Sequence, residues 1–342
     1  MTQLHTRATI ADVASKAGVS KATVSRFLNH RDALLSPEIA LKVEIAIAEL
    51  GYVPSPMAQA LKRGRSKLIG LIMADITNPY SVAVLRGAEQ ACREAGYLVM
   101  LFNLGNDSQQ ESAGIQALSS YRVEGFMLNA MSQDVSAALE TARQGKPMVL
   151  IDRLYNGLNV DFVSLDNPQA IGLCTEHLLQ SGYGELLLVT EPVGNVSSRI
   201  ERTQAFRLCM QQHSLAQAGR LFESAPENPE ALVAALLALR ERAQAQGRLP
   251  AVLSGNGVVT LRVVAALAQL GWRLGKDIGL VGIDDTEWAP YVGPGISTVS
   301  QPTNELGRKA AICLMQRVSG LNIPARRTLL PGALVVRGSS RP

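Results

Sequence analysis

The stretch TIADVASKAGVSKATVSRFLN, residues 9–29, predicts two short helices joined by a tight turn. Ile10, Val13 and Ala17 recur at helical spacing, and Gly18 follows as a residue suited to a left-handed helix end. Ser20 is placed to cap the second helix. Two short helices joined by a glycine turn form a helix-turn-helix unit. The inward face of the second helix is expected to carry Ala22, Val24 and Phe27 or Leu28.

The outer face of the second helix is small, polar or basic, which suits a surface pressed into a DNA major groove. Hydroxyl and amide side chains beside it can donate hydrogen bonds to phosphates. A helical hairpin with a solvated polar face has the same spacing, so the motif alone leaves that alternative open. The candidate DNA-contacting residues are Thr9, Ser20, Lys21, Ala22, Thr23, Ser25, Arg26 and Asn29.

Basic residues are concentrated in the same region. Residues 1–67 contain ten Lys and Arg against five Asp and Glu, whereas residues 68–342 contain 23 basic and 24 acidic residues. The formal net charge of +4 therefore resides in the N-terminal fifth of the chain. A polyanionic partner at this end is the natural hypothesis, with an ordinary solvated basic face as the alternative.

Two further helices are predicted before the body of the chain begins. SPE at residues 36–38 is a cap followed by proline, and it opens a third helix that runs to Leu50. Ser55 and Pro56 repeat that signal for a short helix ending near Arg63. A helix of about two turns is marginal alone in water, so we expect it to order when a partner packs on it.

The bulk composition is that of a folded soluble protein. Apolar residues make up 47% of the 342 residues and charged residues 18%, which allows sizeable cores. The sequence contains neither an 18-residue uncharged apolar run nor the apolar core of a signal peptide. We therefore expect a cytoplasmic protein, and a secreted transport-type sugar-binding protein is disfavoured.

Residue spacing also argues against an enzyme, a metal centre or a cofactor. The GxGxxG pattern is incomplete at residues 255–260, and no GxSxG or P-loop sequence is present. The histidines show no metal-ligand spacing, and the cysteines lie far apart without a CxxC pair. The cysteines are expected to be reduced core residues, namely Cys92, Cys174, Cys209 and Cys313.

From residue 68 onward, short apolar strands alternate with helices in two series. This alternation predicts an α/β fold with two Rossmann-like lobes, each a parallel sheet covered by helices on both faces. The first series has strands near residues 68–75, 97–105, 125–130 and 147–152, and the second near 162–167, 186–191, 251–255 and 278–284. Helices are predicted near residues 79–95, 107–121, 132–145, 168–181, 199–213, 228–246 and 258–270.

Polar residues stand at the carboxyl ends of these strands. Ligands of parallel sheets bind beyond those ends, and a cleft between two lobes would collect them. Taken singly, each is as well explained as a helix cap or turn residue. The set comprises Asp75, Asn129, Asp152, Arg153, Asp166, Asn256, Asp284 and Asp285.

TIADVASKAGVSKATVSRFLN, the SPE that opens the third helix, AELGYVPSPMAQAL and SKLIGLI together resemble the LacI/GalR family, and the resemblance continues to about residue 340. It implies a helix-turn-helix domain at residues 1–54, a hinge helix and linker at 55–67, and a two-lobed effector-binding and dimerisation domain of periplasmic-binding-protein type at 68–342. Asparagine is usual in the family where this chain has Ser55, and a threonine-arginine pair is common where the third helix begins.

The resemblance also assigns roles to individual residues. Base contacts in the major groove are implied for Lys21, Ala22 and Arg26. The hinge residues Ser55, Ala58 and Leu61 are implied to act in the minor groove at the operator centre, where an apolar wedge bends DNA. Effector contacts are implied for Tyr80, Asn129, Asp152, Arg153, Arg202, Asn256 and Asp284, with Trp288 either a wall for a sugar face or a core tryptophan.

Arginines near the predicted cleft favour a sugar or sugar acid as effector, since arginine binds carboxylates bidentately. NPYSVAV at residues 78–84 is similar to repressors of 2-ketogluconate utilisation, which implies a 2-ketogluconate-like ligand. A palindromic operator implies a homodimer, with the helix near residues 79–94 and a C-lobe surface as its interface. The chain has no leucine heptad after its last strand, so no more than a dimer is expected. Release from DNA by effector and corepression both remain open.

Overall fold

The computed structural model describes residues 8–29, 35–54, 65–129, 131, 134–155 and 157–342. Its contacts divide the chain into two compact units, residues 1–66 and 67–342. The predicted hinge helix, with Ser55, Ala58 and Leu61, lies outside the described residues, so its roles stay predictions.

The first unit contains the predicted helix-turn-helix: α1 (Ile10–Ala17), α2 (Lys21–Leu28) and α3 (Pro37–Leu50). Gly18 ends α1 with φ 65°, the left-handed conformation that favours glycine. Ala22 is exposed, so its expected place on the inward face is wrong. That face is made by Val24, while Phe27 and Leu28 are partly buried beside it. The buried core of this unit comprises Val13, Ala14, Ala17, Val24, Val43 and Ala46.

The second unit is built from two six-stranded sheets with helices on both faces. Its strands are β1 (Leu68–Met73), β2 (Leu98–Asn103), β3 (Gly125–Leu128), β4 (Met148–Ile151), β5 (Asp161–Leu165), β6 (Tyr183–Thr190), β7 (Gly219–Glu223), β8 (Leu249–Ser254), β9 (Gly279–Ile283), β10 (Ser297–Ser300), β11 (Arg327–Leu330) and β12 (Ala333–Val335). Its helices are α4 (Pro79–Glu94), α5 (Gln110–Ser120), α6 (Ser136–Arg143), α7 (Asn167–Gln180), α8 (Ser197–Gln212), α9 (Pro229–Ala245), α10 (Gly257–Leu270) and α11 (Thr303–Val318). None of these helices is long and apolar enough to cross a membrane.

The first sheet has the order β11-β5-β4-β3-β1-β2, and we call it with its helices the N-lobe. All of its strands pair in parallel. Alternate side chains of β1 enter the two apolar layers, with Leu71 facing α4 and α11 and Ile72 facing α5 and α6. This two-sided burial explains why the central strands β1, β3 and β4 are almost uninterrupted apolar runs.

The second sheet has the order β12-β10-β9-β8-β6-β7, and we call it with its helices the C-lobe. Its strands are parallel except β12, which pairs antiparallel with β10 along the edge. Leu188 packs toward α7 and α8, whereas Val189 packs toward α9 and α10. At the carboxyl ends of these strands, loops lead into the first turns of the helices that follow.

The two lobes are not successive segments of the chain. The strand at residues 161–165, which the sequence placed in the second series, belongs to the N-lobe sheet between β4 and β11. The chain crosses between lobes after β5 and returns later for α11 and β11. Three strands, β7, β10 and β11, were not predicted at all. β7 and β11 are partly exposed, and β10 is a buried but serine- and threonine-rich strand, so none of the three reads as an apolar run. Partners far along the chain fix them as strands.

Two glycines bring helices α4 and α11 into close contact in the N-lobe. A Cβ on Gly87 would overlap the carbonyl oxygen of Asn304, and a Cβ on Gly307 would overlap that of Val84. The backbones thus approach at a distance that any side chain would prevent. The predicted interface helix α4 therefore packs one face against α11. Its buried residues are Ser81, Val84, Gly87, Ala88, Ala91 and Cys92.

A buried carboxylate fastens the end of α11 to β5. Asp161 accepts hydrogen bonds from Nη2 of Arg317 at 2.8 Å and from Nη2 of Arg326 at 2.7 Å. The backbone N–H of Arg326 donates a further bond to Asp161 at 2.8 Å. Burial opposes ionisation of Asp161, but the arginine hydrogen bonds outweigh it and hold its pKa well below the usual range.

Candidate functional site: a DNA-facing helix and an inter-lobe cleft

Helix α2 carries the basic surface predicted for DNA contact. Lys21, Ala22 and Arg26 are exposed, and Thr23 and Ser25 are partly buried beside them. These positions recur on the outward side because Val24 is fully buried on the other. An exposed Ala22 between two cations leaves room for a base edge.

The hydroxyl and amide groups beside α2 also make local bonds. Ser20 caps α2 by accepting from the N–H of Thr23 at 3.1 Å, and Thr9 forms a capping box with Asp12. Asn29 donates to the carbonyl of Ser25 at 2.6 Å. These side chains thus fix the helix ends, and a phosphate would share groups that already have partners.

The second unit has a cleft of about 190 Å³ where the carboxyl ends of the two sheets face each other. Such a crevice is where parallel sheets bind ligands. The predicted residues brought to it are Tyr80, Asn129, Asp152, Arg153, Arg202, Asn256 and Asp284. Further lining residues include Asp75, Asn106, Glu191, Ser198, Arg199, Arg262 and Gln301.

Asp152 and Asp284 hold equivalent positions at opposite sides of the cleft. Each directly follows a strand, β4 or β9, and each has a positive φ, 65° for Asp152 and 79° for Asp284. A left-handed conformation is uncommon for residues other than glycine, and it clusters at ligand sites. The turn directs each carboxylate off the end of its strand, so Asp152 accepts from Ser198 of the other lobe at 3.4 Å.

The carboxylate of Asp284 is anchored within the C-lobe. Its Oδ2 accepts from the N–H of Gly257 at 2.8 Å, and its Oδ1 accepts from Nε2 of Gln301 at 2.5 Å. Burial raises the pKa of Asp284, although the Gly257 bond and the charge of Arg202 oppose that rise. A buried acceptor of this kind suits a ligand hydroxyl.

Arg202 lies on α8 with a largely buried guanidinium group. Its Nε donates to Oδ1 of Asn167 at 2.8 Å and its Nη1 to the carbonyl of Gly255 at 2.6 Å. These bonds fix the plane of the guanidinium and hold it at the cleft wall. A fixed fork of donors can bind a carboxylate or a pair of hydroxyls.

Glu191 is a cleft residue that sequence reasoning missed. One of its oxygens, Oε2, accepts both from Nη2 of Arg199 at 2.7 Å and from Nδ2 of Asn256 at 2.8 Å. It directly follows β6, so the rule of polar residues at strand ends would have found it. Gln301 was missed for a different reason, since it follows β10, a strand that was not predicted.

In the cleft, the hydroxyl of Tyr80 and Oε1 of Gln301 are buried and have no hydrogen-bond partner among the described residues. Burial raises the pKa of Tyr80, and the negative charges of Asp152 and Asp284 raise it further, so the phenol is a neutral donor. Buried polar groups normally have partners, which marks these two atoms as candidate ligand contacts.

The remaining predicted residues are placed as follows. Asn129 lines the cleft, yet its amide already binds the backbone of Ala74 and Ile151, so it also ties strands of the N-lobe together. Trp288 is not among the cleft residues and packs against the C-lobe core, which is the second of the two placements expected for it. Asp166 caps α7 and Asp285 pairs with Arg337, so both are structural.

A helix-turn-helix unit followed by a two-lobed ligand-binding unit defines a class of bacterial transcription regulators. The chain belongs to the lacI family of bacterial regulatory proteins. The sequence model of that family matches residues 9–55, and the model of a periplasmic binding protein-like domain matches residues 175–340. The family consists of transcriptional regulators. The resemblance to the LacI/GalR family that the sequence motifs indicated is therefore confirmed.

Relatives extend over nearly the whole chain. The HTH-type transcriptional regulator PtxS of Pseudomonas plecoglossicida is 42% identical over 99% of this chain and 98% of its own. The regulator KdgR of Bacillus subtilis is 39% identical over 91% of each chain. A structure of the lac repressor dimer bound to operator and the anti-inducer ONPF is 26% identical, with a TM-score of 0.82 over 98% of this chain and 99% of that one. The predicted fold class is confirmed.

Proposed function

We propose that this chain represses transcription by binding a palindromic DNA operator as a homodimer, and that a sugar acid of the 2-ketogluconate type releases it from DNA. The arginine side chains around the cleft are the observation that favours a sugar acid as the ligand. Residues 1–54 would bind DNA, 55–67 would transmit the signal, and 68–342 would bind the effector and dimerise. No enzymatic turnover is part of this function.

The carboxylate specificity rests on two neighbouring cations. Burial lowers the pKa of Arg199, and the positive charge of Arg153 lowers that pKa further. The negative charge of Glu191 acts in the opposite direction and raises it. The guanidinium groups of Arg153 and Arg199 therefore repel each other in a partly dehydrated space, although Glu191 lies 2.7 Å from Arg199 and Asp152 lies 3.5 Å from Arg153. A ligand carboxylate placed between them reduces this repulsion.

The hydroxyl specificity rests on the groups around Asp284 and Asp152. Tyr80 can donate to a ligand oxygen, while Asp284, Gln301 and Asp152 offer acceptors. Arg202 and Asn256 are already held by neighbouring side chains, so binding a ligand would cost them little ordering entropy. A polyhydroxy acid satisfies both the cationic and the hydroxyl-binding parts of the cleft.

The DNA role is supported by the exposed Lys21, Ala22 and Arg26 and by the relatives. The lac repressor was solved as a dimer on its operator, and a repressor of the ribose operon of Escherichia coli is 30% identical over 97% of this chain. Twofold protein symmetry matches a palindromic site. Contacts of Ser55, Ala58 and Leu61 with the operator centre remain predictions.

The effector is tested by calorimetric titration of full-length protein with 2-ketogluconate, gluconate and ribose. We expect 2-ketogluconate to bind, and gluconate and ribose to bind more weakly because each lacks part of the carboxylate and keto-hydroxyl pattern. Stronger binding of ribose would contradict the assignment of the arginines. Disappearance of any sugar acid during incubation would contradict the non-enzymatic role.

The DNA role is tested by fluorescence anisotropy with a palindromic operator selected from random duplexes. Lys21→Ala and Arg26→Ala should weaken binding, whereas Lys42→Ala, an exposed cation on α3, should leave it nearly unchanged. Adding the effector should raise the dissociation constant. A lower dissociation constant in the presence of effector would indicate corepression instead of release. Equal loss of DNA affinity in all three variants would argue against α2 as the helix that contacts the bases.

A further inference from the structure

A cysteine, a histidine and a glutamate meet on the C-lobe, and none of them lines the cleft. Oε1 of Glu176 lies 3.3 Å from Sγ of Cys209 and 2.7 Å from Nε2 of His213. All three ligand atoms lie within 4.8 Å of one another. We call these three residues the triad.

Helix geometry explains why the triad forms. Cys209 and His213 are four residues apart at the end of α8, so one turn places them on the same side. Glu176 comes from α7, which packs against α8. Because 33 residues separate Glu176 from Cys209, no spacing along the chain predicted this grouping.

We propose that the triad binds a zinc ion. Thiolate, imidazole and carboxylate are the three ligand types that zinc takes in proteins, and three of them leave a fourth position for water. Calcium and magnesium prefer oxygen ligands throughout, so the thiol selects against them. The negative end of the α8 dipole, at its last turn, also favours a cation there.

The observed distances need little adjustment to hold the ion. With bonds of roughly 2.0 to 2.3 Å to each ligand, the ligand atoms of a tetrahedral zinc stand about 3 to 4 Å apart. The side chains of Glu176 and His213 are each 39% exposed, so solvent rather than packed protein surrounds part of each. Cys209 is buried and supplies the fixed point of the site.

Metal binding would change the protonation of the triad. Burial raises the pKa of Cys209 to about 11, and the hydrogen bond to Glu176 adds to this, so the metal-free thiol is protonated at neutral pH. Zinc displaces that proton to solvent as the sulfur lone pair forms the metal bond. The imidazole binds through its neutral form, and the hydrogen bonds of Glu176 to the other two residues are replaced by metal bonds.

The ion would join α7 to α8 at their C-terminal halves. The same two helices meet nearer their N-terminal ends through the bond between Asn167 and Arg202. A second link fixes the angle between the helices, so zinc should stabilise the C-lobe without entering the cleft. Because zinc would bind the folded chain, it should raise the melting temperature.

The test uses untagged full-length protein stripped with a chelator and titrated with zinc against a chromophoric competitor. We expect one zinc per subunit, and cobalt in its place should give a thiolate-to-cobalt charge-transfer band. Cys209→Ala and His213→Gln should each weaken zinc binding by roughly tenfold or more and abolish the rise in melting temperature. His213→Gln keeps a polar surface side chain, so it checks the proposal if the cysteine variant folds poorly.

Cys313→Ala is the matched control, because Cys313 lies in α11 of the N-lobe and outside the triad. Its zinc affinity should equal that of the unchanged chain. Zinc affinity that is the same in all four proteins, or a cobalt spectrum without a sulfur band, would show that the triad is a hydrogen-bonded cluster and overturn the proposal.

Discussion

Arg202 in the cleft and Asn167 at the first turn of α7 are joined by a hydrogen bond of 2.8 Å. Asn167 is fully buried and directly follows the segment in which the chain passes from the N-lobe to the C-lobe. Its amide also donates to Glu201 at 2.8 Å, and Glu201 pairs with Arg327 of the N-lobe strand β11 at 2.9 Å. Arg202 is therefore linked through Asn167 and Glu201 to a strand of the N-lobe, so a ligand bound to Arg202 would contact a side chain that belongs to a network spanning both lobes.

Arg202→Ala should weaken sugar-acid binding about tenfold or more, because it removes charge-assisted donors from a largely buried wall. Isothermal titration calorimetry measures the effect. Arg207→Ala is the control, since Arg207 is exposed on the same helix and outside the cleft. Equal affinity in Arg202→Ala and the unchanged chain would remove Arg202 from the site.

Asp284→Asn should flatten the pH dependence of C-lobe stability. The pKa of Asp284 is raised in the folded state, so its contribution is present below the usual value of 3.8 and is lost as the pH rises through the raised value. Asparagine cannot ionise, and the unpartnered Oε1 of Gln301 can turn to accept from the new amide. Melting temperatures between pH 4 and 8 measure the difference. A steeper profile in the variant would contradict the buried placement of this carboxylate.

Asp161→Asn should lower the free energy of unfolding at neutral pH by about 2 to 4 kcal/mol, because two arginines lose a buried partner while staying partly hydrated. The pKa of Asp161 is lowered, so its stabilisation is present above the usual value of 3.8 and is lost as the pH falls through the lowered value. Scanning calorimetry at pH 7 and pH 3 checks this. The variant's deficit should shrink at pH 3, and Glu140→Gln, an exposed acid on α6, should show no deficit at either pH.

Alanine at two helical glycines should have opposite effects. Gly87→Ala should destabilise the N-lobe by several kcal/mol, because the new methyl group meets backbone of α11 that cannot move aside. Gly172→Ala, in α7 with open space around it, should stabilise the protein by about 0.5 to 1 kcal/mol through helix propensity. Thermal unfolding of both variants measures the contrast. Equal shifts would mean that the close approach of α4 and α11 is not required.

Local signals in the sequence were enough for most of the elements. Ser36 before Pro37 and Gly51 after Leu50 bound α3 as predicted, since caps and left-handed helix ends act within one turn. The apolar runs of β1, β4 and β9 marked strands buried on both faces. The position of Asp152 and Asp284 at strand ends predicts that both lie at the cleft, and this prediction needs no sheet order.

The sequence by itself determined the helix-turn-helix, the alternation of strands and helices, and the strand-end residues that line the cleft. Tertiary structure alone decided that β5 joins the first sheet, that Trp288 packs into the core, and that Glu176 meets Cys209 and His213. The physical reason is the distance along the chain over which each kind of interaction acts. Caps, turns and apolar periodicity are local interactions, whereas strand order and helix packing depend on contacts between residues far apart along the chain, which no local pattern records.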